Sequence, residues 1–137
     1  MKRLNLSVPS ERLIGFTIPR GGRFYVCDHD EVWSVHVGPP ILLENSDLQP
    51  YDVAACDDFV GWGDEDKSPV LLHNETEIRY CFDPKQPHVT VEISIGGGTQ
   101  QINFLTFSGD WFAASLSADG RHLVLAEPYN LEIYEID

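Results

Sequence analysis

The side chains able to do chemistry gather in a few short runs. The densest is Cys27-Asp28-His29-Asp30-Glu31, in which every residue type can ligate a metal. A chelate needs side chains that converge on one ion, whereas neighbours along a strand point to opposite faces. The spacings that solve this problem, C-x-x-C, H-x-x-x-H and H-E-x-x-H, do not occur in the chain. The run therefore reads as a polar hairpin turn, and neither a metal nor a cofactor is expected. A second cluster brackets an apolar stretch: Asp57-Asp58 and Asp64-Glu65-Asp66 flank Phe59-Val60-Gly61-Trp62-Gly63. Its oxygen atoms do not follow the calcium-loop pattern D-x-[DN]-x-[DN]-G. A Trp between two glycines in an acidic loop either folds back into the core or stands out as an apolar anchor. Trp ringed by acids suits a hot spot for a basic protein. The candidate partner-binding residues are thus Asp57, Asp58, Trp62, Asp64, Glu65 and Asp66.

Catalytic patterns are sparse. The G-x-S-x-G elbow is missing, and Ser108-Gly109-Asp110 opens no helix. Gly96-Gly97-Gly98 is not followed by the Lys-Ser/Thr of a phosphate loop. Five histidines (His29, His36, His73, His88, His122) are dispersed. A Cys–His pair such as Cys81 with His73 would have to be assembled by folding. So would a pair of carboxylates for glycosidase-type work. No catalytic residue is assigned from sequence.

Charge narrows the partners further. The net charge is −13, yet residues 1–23 hold five of the nine basic side chains and only one acid. From residue 24 onward four bases face 21 acids. Such a body repels a phosphate backbone, which excludes direct nucleic-acid binding, and it attracts and steers cations. No stretch approaches the roughly 18 apolar residues of a membrane span. The N-terminal MKRLNLSVPSERL has no apolar segment of a secretory signal. Three cysteines, an odd number without framework spacing, read as free thiols in or near the core of a cytoplasmic protein.

These features must be carried by strands. Val89, Val91, Ile93 and Ile95 alternate with polar residues, then Gly96-Gly97-Gly98 leads into Gln100–Phe107, a hairpin with a glycine turn. Further hairpins are expected from Leu13–Ile18, Arg23–Cys27 and Glu31–Val37, from Val70–Leu72 and Thr76–Phe82, and from Trp111–Leu116, Arg121–Ala126 and Leu131–Ile136. Helix signals are weak, with one short turn expected over Leu42–Leu48. The buried set predicted from alternation is Trp33, Val35, Val37, Ile78, Tyr80, Val91, Ile93, Ile102, Phe104, Leu123, Leu131 and Ile133.

Ser117-Ala118-Asp119-Gly120-Arg121-His122-Leu123-Val124-Leu125 resembles the inner hairpin of a β-propeller blade, and Gly22–Val37 aligns with it faintly. A closed propeller needs at least four blades of roughly 40 residues, more than this chain holds, so the likeness is read as shared hairpin physics. The expectation is a single all-β domain of antiparallel hairpins, forming a sandwich, a bent sheet or a small barrel, with residues 1–10 as the candidate flexible stretch. The expected function is non-enzymatic: an acidic protein-interaction domain, with an inhibitor or immunity protein for a basic partner as its best-defined form. The alternatives are a small hydrolase or metal-dependent enzyme, and an accessory domain that acts within a homo-oligomer because unpaired strand edges favour association.

Overall fold

The computed structural model describes residues 1–9, 12–62 and 69–136. Among these, thirteen strands and one short helix build three antiparallel sheets, and no sheet closes into a barrel. The first sheet is a meander of β2 (Gly15–Thr17), β3 (Arg23–Cys27), β4 (Val32–His36) and β5 (Leu42–Ser46). From β5 the chain crosses the sheet through α1 (Pro50–Ala54) and returns as β6 (Phe59–Gly61) beside β2, giving the order β5-β4-β3-β2-β6. The second sheet is a plain meander, β7 (Leu72–His73), β8 (Thr76–Tyr80), β9 (His88–Ile95) and β10 (Gly98–Leu105). The third holds β11 (Ala113–Leu116), β12 (His122–Glu127) and β13 (Asn130–Glu135). It is completed by β1 (Lys2–Leu4), which pairs Arg3 with Tyr134. The segment read from sequence as the flexible end therefore contributes a strand.

The third sheet lies between the other two. Val124, Ala126, Leu131 and Ile133 on one of its faces share a cluster with Phe16, Phe24, Val26 and Val35 of the first sheet. Ala114, Leu116, Leu123 and Leu125 on its other face share a cluster with Ile78, Val91, Ile93 and Phe104 of the second. Both faces being covered, β11 and β12 read as nearly continuous apolar runs rather than alternating ones. Phe112 fixes one of these contacts, its ring 4.9 Å from that of Tyr80 and 5.4 Å from that of Phe104. A third, smaller cluster of Cys27, Val32, Val53 and Phe59 lies under α1 on the outer face of the first sheet.

Of the twelve residues predicted as core, all are buried except Tyr80, which is half-buried beside Phe112. Two expectations are corrected in detail. The turn between β9 and β10 is two residues long, because Gly98 already pairs with Ile95, and its positive φ of 59° falls on Gly96. Leu42–Leu48 forms no helical turn: Leu43 pairs with Val35 and the segment extends the first sheet. The helix comes just after it, where Pro50 takes the first helical position that proline suits.

Glu127 is fully buried at the end of β12. Its carboxyl oxygens accept the amides of Phe107 at 2.7 Å and Ser108 at 3.1 Å, and also that of Tyr129. One side chain thus ties the exit of the second sheet to the last hairpin of the central one. An unsatisfied buried amide costs about 1–3 kcal/mol. Glu127→Ala is therefore expected to lower unfolding free energy by at least about 2 kcal/mol in urea titration. Ile93→Ala, at a fully buried position of the second sheet, should cost about 2–5 kcal/mol. Values near zero for both would mean that these two positions do not hold the layers together.

Candidate functional site

The register of the first sheet decides which charged groups share an end. Gly15 pairs with both Cys27 and Gly61, and Val32 pairs with both Cys27 and Ser46. One end of the sheet therefore carries the β3–β4 turn Asp28-His29-Asp30-Glu31, Asp47 after β5, and Trp62 after β6. The opposite end carries Asp58, the Arg20–Arg23 turn and His36, since Thr17 pairs with Phe59 and Arg23 with His36. The arginines of this end are accompanied by Asp58, whereas the turn acids Asp28, Asp30 and Glu31 and also Asp47 lie at the other.

Trp62 is 62% exposed, so it is not a core residue. Its backbone is nonetheless fixed: its amide donates to the Ile14 carbonyl at 2.8 Å. The residue before it explains how. A Cβ on Gly61 would lie 2.3 Å from the Ile14 carbonyl oxygen, so only glycine lets β6 approach β2 this closely. The indole thus leaves the end of an anchored strand.

The predicted site residues divide. Asp57 is exposed and Asp58 half-buried, both between α1 and β6. Asp58 faces Arg20 at 3.7 Å. Trp62 lies four residues along the strand direction, about 13 Å away at 3.3 Å per residue. Asp57 and Asp58 are therefore set apart from Trp62, because the strand β6, and not a tight loop, connects them. Asp64, Glu65 and Asp66 lie outside the described residues. The carboxylates that share the Trp62 end are instead Asp28, Asp30, Glu31 and Asp47. The β3–β4 turn is two to three strand spacings from β6, about 10–14 Å, and Asp47 after β5 is four, about 19 Å. Sequence reasoning treated Cys27–Glu31 as a separate feature, and only strand order brings its turn to the same end as Trp62. Asp28 holds this turn by accepting the amides of Asp30 at 2.8 Å and Glu31 at 2.7 Å, which leaves Asp30 and Glu31 exposed.

Among the described residues, two of the hollows elsewhere gather side chains able to do chemistry. One, of about 340 Å³, lies between α1 and the outer face of the first sheet, with Ile18, Tyr25, Leu48 and Val53 among its walls and the Arg20–Asp58 pair at its side. Cys56 lines it, but no histidine does, and the thiol donates to the Asp52 carbonyl at 3.4 Å. The other is an open polar cleft between the β7–β8 and β11–β12 turns, holding His73, Glu75, Asp119, Arg121 and His122. There the Ser117 hydroxyl, donating at 2.6 Å, is the main cause holding the Asp119 carboxyl below its usual range. Amide donation from Arg121 adds to the effect. His73 packs against Gly120 in this cleft. Cys81 follows the far end of β8, so the Cys81–His73 pair considered from sequence is not assembled. Among the described residues no three His, Cys, Asp or Glu side chains are grouped to hold a metal ion.

Comparison of the chain with known proteins returns no match to a family model, a curated protein or a solved structure.

The three cysteines are free thiols, as expected, but only Cys27 is in the core, while Cys56 and Cys81 are exposed. The exposed pair follow helix and strand ends, where the chain turns outward. Burial, followed by the nearby Asp28 charge, pushes the Cys27 thiol up to about 12. The thiolate is the reactive form. At pH 8, thiol titration of the folded protein should show two fast-reacting groups and a third that reacts only on unfolding. Three fast groups would place Cys27 at the surface.

Proposed function

We propose that this chain is a non-enzymatic protein-interaction domain whose partner is basic, bound at the end of the first sheet that carries Trp62. The observation that carries the reading is the exposed indole on an anchored backbone, at the sheet end shared with Asp28, Asp30, Glu31 and Asp47. Carboxylates in a water-facing group repel one another by about 1 kcal/mol per close pair. A cationic surface relieves that repulsion, and the field of the whole chain speeds the encounter at low salt. An aromatic anchor then supplies the desolvated contact that charges alone lack. Arg20 and Arg23 lie at the opposite end of the sheet. Inhibition of a basic toxin or nuclease by an immunity-type protein is the best-defined activity of this kind, and a cytoplasmic setting suits the free thiols.

Matched baits test the reading. Wild type and Trp62→Ala are immobilised, exposed to cell extract at low and at moderate salt, and the retained proteins identified. Basic proteins held by wild type should be lost from Trp62→Ala and weakened by salt, with an affinity loss of about 2 kcal/mol or more once one is purified. The melting temperature of Trp62→Ala should stay within about 2 °C of wild type, as expected for an exposed side chain. Neutralising Asp64, Glu65 and Asp66 together, or Asp28, Asp30 and Glu31 together, should mainly slow association. Identical proteins on both baits, or an unfolded Trp62→Ala, would sink the proposal.

A further inference from the structure

The second sheet ends in β10, at eight residues one of the two longest strands of the described fold, and among the described residues no strand pairs with its outer side. Which of its backbone groups are free follows from hydrogen-bond parity. Residues facing each other across antiparallel strands alternate between pairs that exchange both hydrogen bonds and pairs that exchange none. The Thr106 amide donates to the Pro87 carbonyl at 3.0 Å, one step beyond the Leu105–His88 pair, and Gly98–Ile95 closes the two-residue turn. Both observations assign the even-numbered residues of β10 to the β9 ladder. The odd-numbered residues therefore aim N–H and C=O away from the sheet. Two side-chain contacts agree with this parity: Asn130 Nδ2 donates to the Leu105 carbonyl at 3.1 Å, and the Phe107 amide donates to Glu127. They also close the edge at its C-terminal end. The open stretch is Thr99, Gln101 and Asn103, all exposed.

We infer that this stretch pairs with the same stretch of a second copy of the chain across a two-fold axis at Gln101. The free groups are symmetric about that residue. In antiparallel register Thr99 meets the partner's Asn103, Gln101 meets the partner's Gln101, and Asn103 meets the partner's Thr99. This register satisfies all the outward amides and carbonyls on both chains, and the two second sheets become one continuous sheet. Identical patches meeting about a two-fold axis is what an isologous dimer requires. The occupant is another copy because of charge. In a chain of net −13, residues 93–107 carry no ionisable side chain, so two copies can meet at β10 without opposing charges at the contact. Protected edges carry Lys, Pro or a bulge, and β10 has neither residue and pairs with β9 without a break. Facing side chains are Thr with Asn and Gln with Gln, uncharged pairs that hydrogen-bond across strands. The edge belongs to the second sheet and Trp62 to the first, so this inference stands apart from the proposed partner face.

Sedimentation velocity from about 1 to about 100 µM should show a shift from the 15.4 kDa monomer to twice that mass. Gln101→Pro removes one outward N–H and leaves the β9 ladder intact, so it should weaken the dimer at least about tenfold without loss of fold. Gln101→Lys sets two cations against each other on the axis and should do the same without any backbone change. In wild type, the amides of Thr99, Gln101 and Asn103 should exchange at least about tenfold more slowly at high than at low concentration. A monomer at every concentration, a dimer unmoved by both variants, or concentration-dependent protection confined to other strands would overturn the inference.

Discussion

A sheet covered on both faces has no solvent side on which to place polar residues, and this constraint organises the molecule. Along β11 and β12, Ala113, Ala114 and Leu116 and then Leu123 to Ala126 are all buried. The exception in β11, Ser115, satisfies its hydroxyl locally: it donates to the Leu116 carbonyl and accepts the Val70 amide. The Leu116 amide in turn donates to the Val70 carbonyl, so the segment entering the second sheet covers the β11 edge. The first and second sheets each lean one apolar face on this centre, and both clusters depend on its side chains.

Glu127 shows how the layered arrangement handles the polar backbone it creates. Where β12 ends, the chain must turn into β13 while the exit of β10 passes close by, and both segments present amides that no strand pairs. One carboxyl group collects them. The same contact places Phe107 and Tyr129 at the surface, where Tyr129 stacks with Arg12 and Arg12 bridges to Asp110. Asn130 closes the end of β10 from the same hairpin. The central sheet therefore supplies packing through its faces and hydrogen-bond partners through its last turn.

With the interior committed to packing, recognition falls to sheet ends and edges. The first sheet displays acids and an indole at one end, and arginines with Asp58 at the other. The second sheet displays an uncharged strand edge. The outer face of the first sheet is closed by α1, whose Val53 packs on Cys27 and Phe59. Different surfaces of one small domain are thus suited to different contacts: charge-steered and heterotypic at one, backbone-mediated and homotypic at the other.

The amino-acid sequence by itself determined ten of the thirteen described strands, most of the turns that join them and one face of the core, because side-chain alternation and turn chemistry are local. Val89–Ile95 and its return strand are legible from period two alone. Alternation could not reveal that β12 is buried twice: a continuous run such as Leu123–Ala126 looks the same whether two layers cover it or one. Nor could it show that Leu42–Ser46 extends a sheet, since that depends on the free edge of β4. The candidate site was legible only in its parts. Trp62 and the acidic runs are visible as residue types, but their grouping depends on strand register. Register sends Asp58 about 13 Å from Trp62 and brings the Asp28–Glu31 turn to the Trp62 end. Distances across a sheet are set by which strands pair, and that pairing is decided by long-range burial, which no local stretch of sequence encodes.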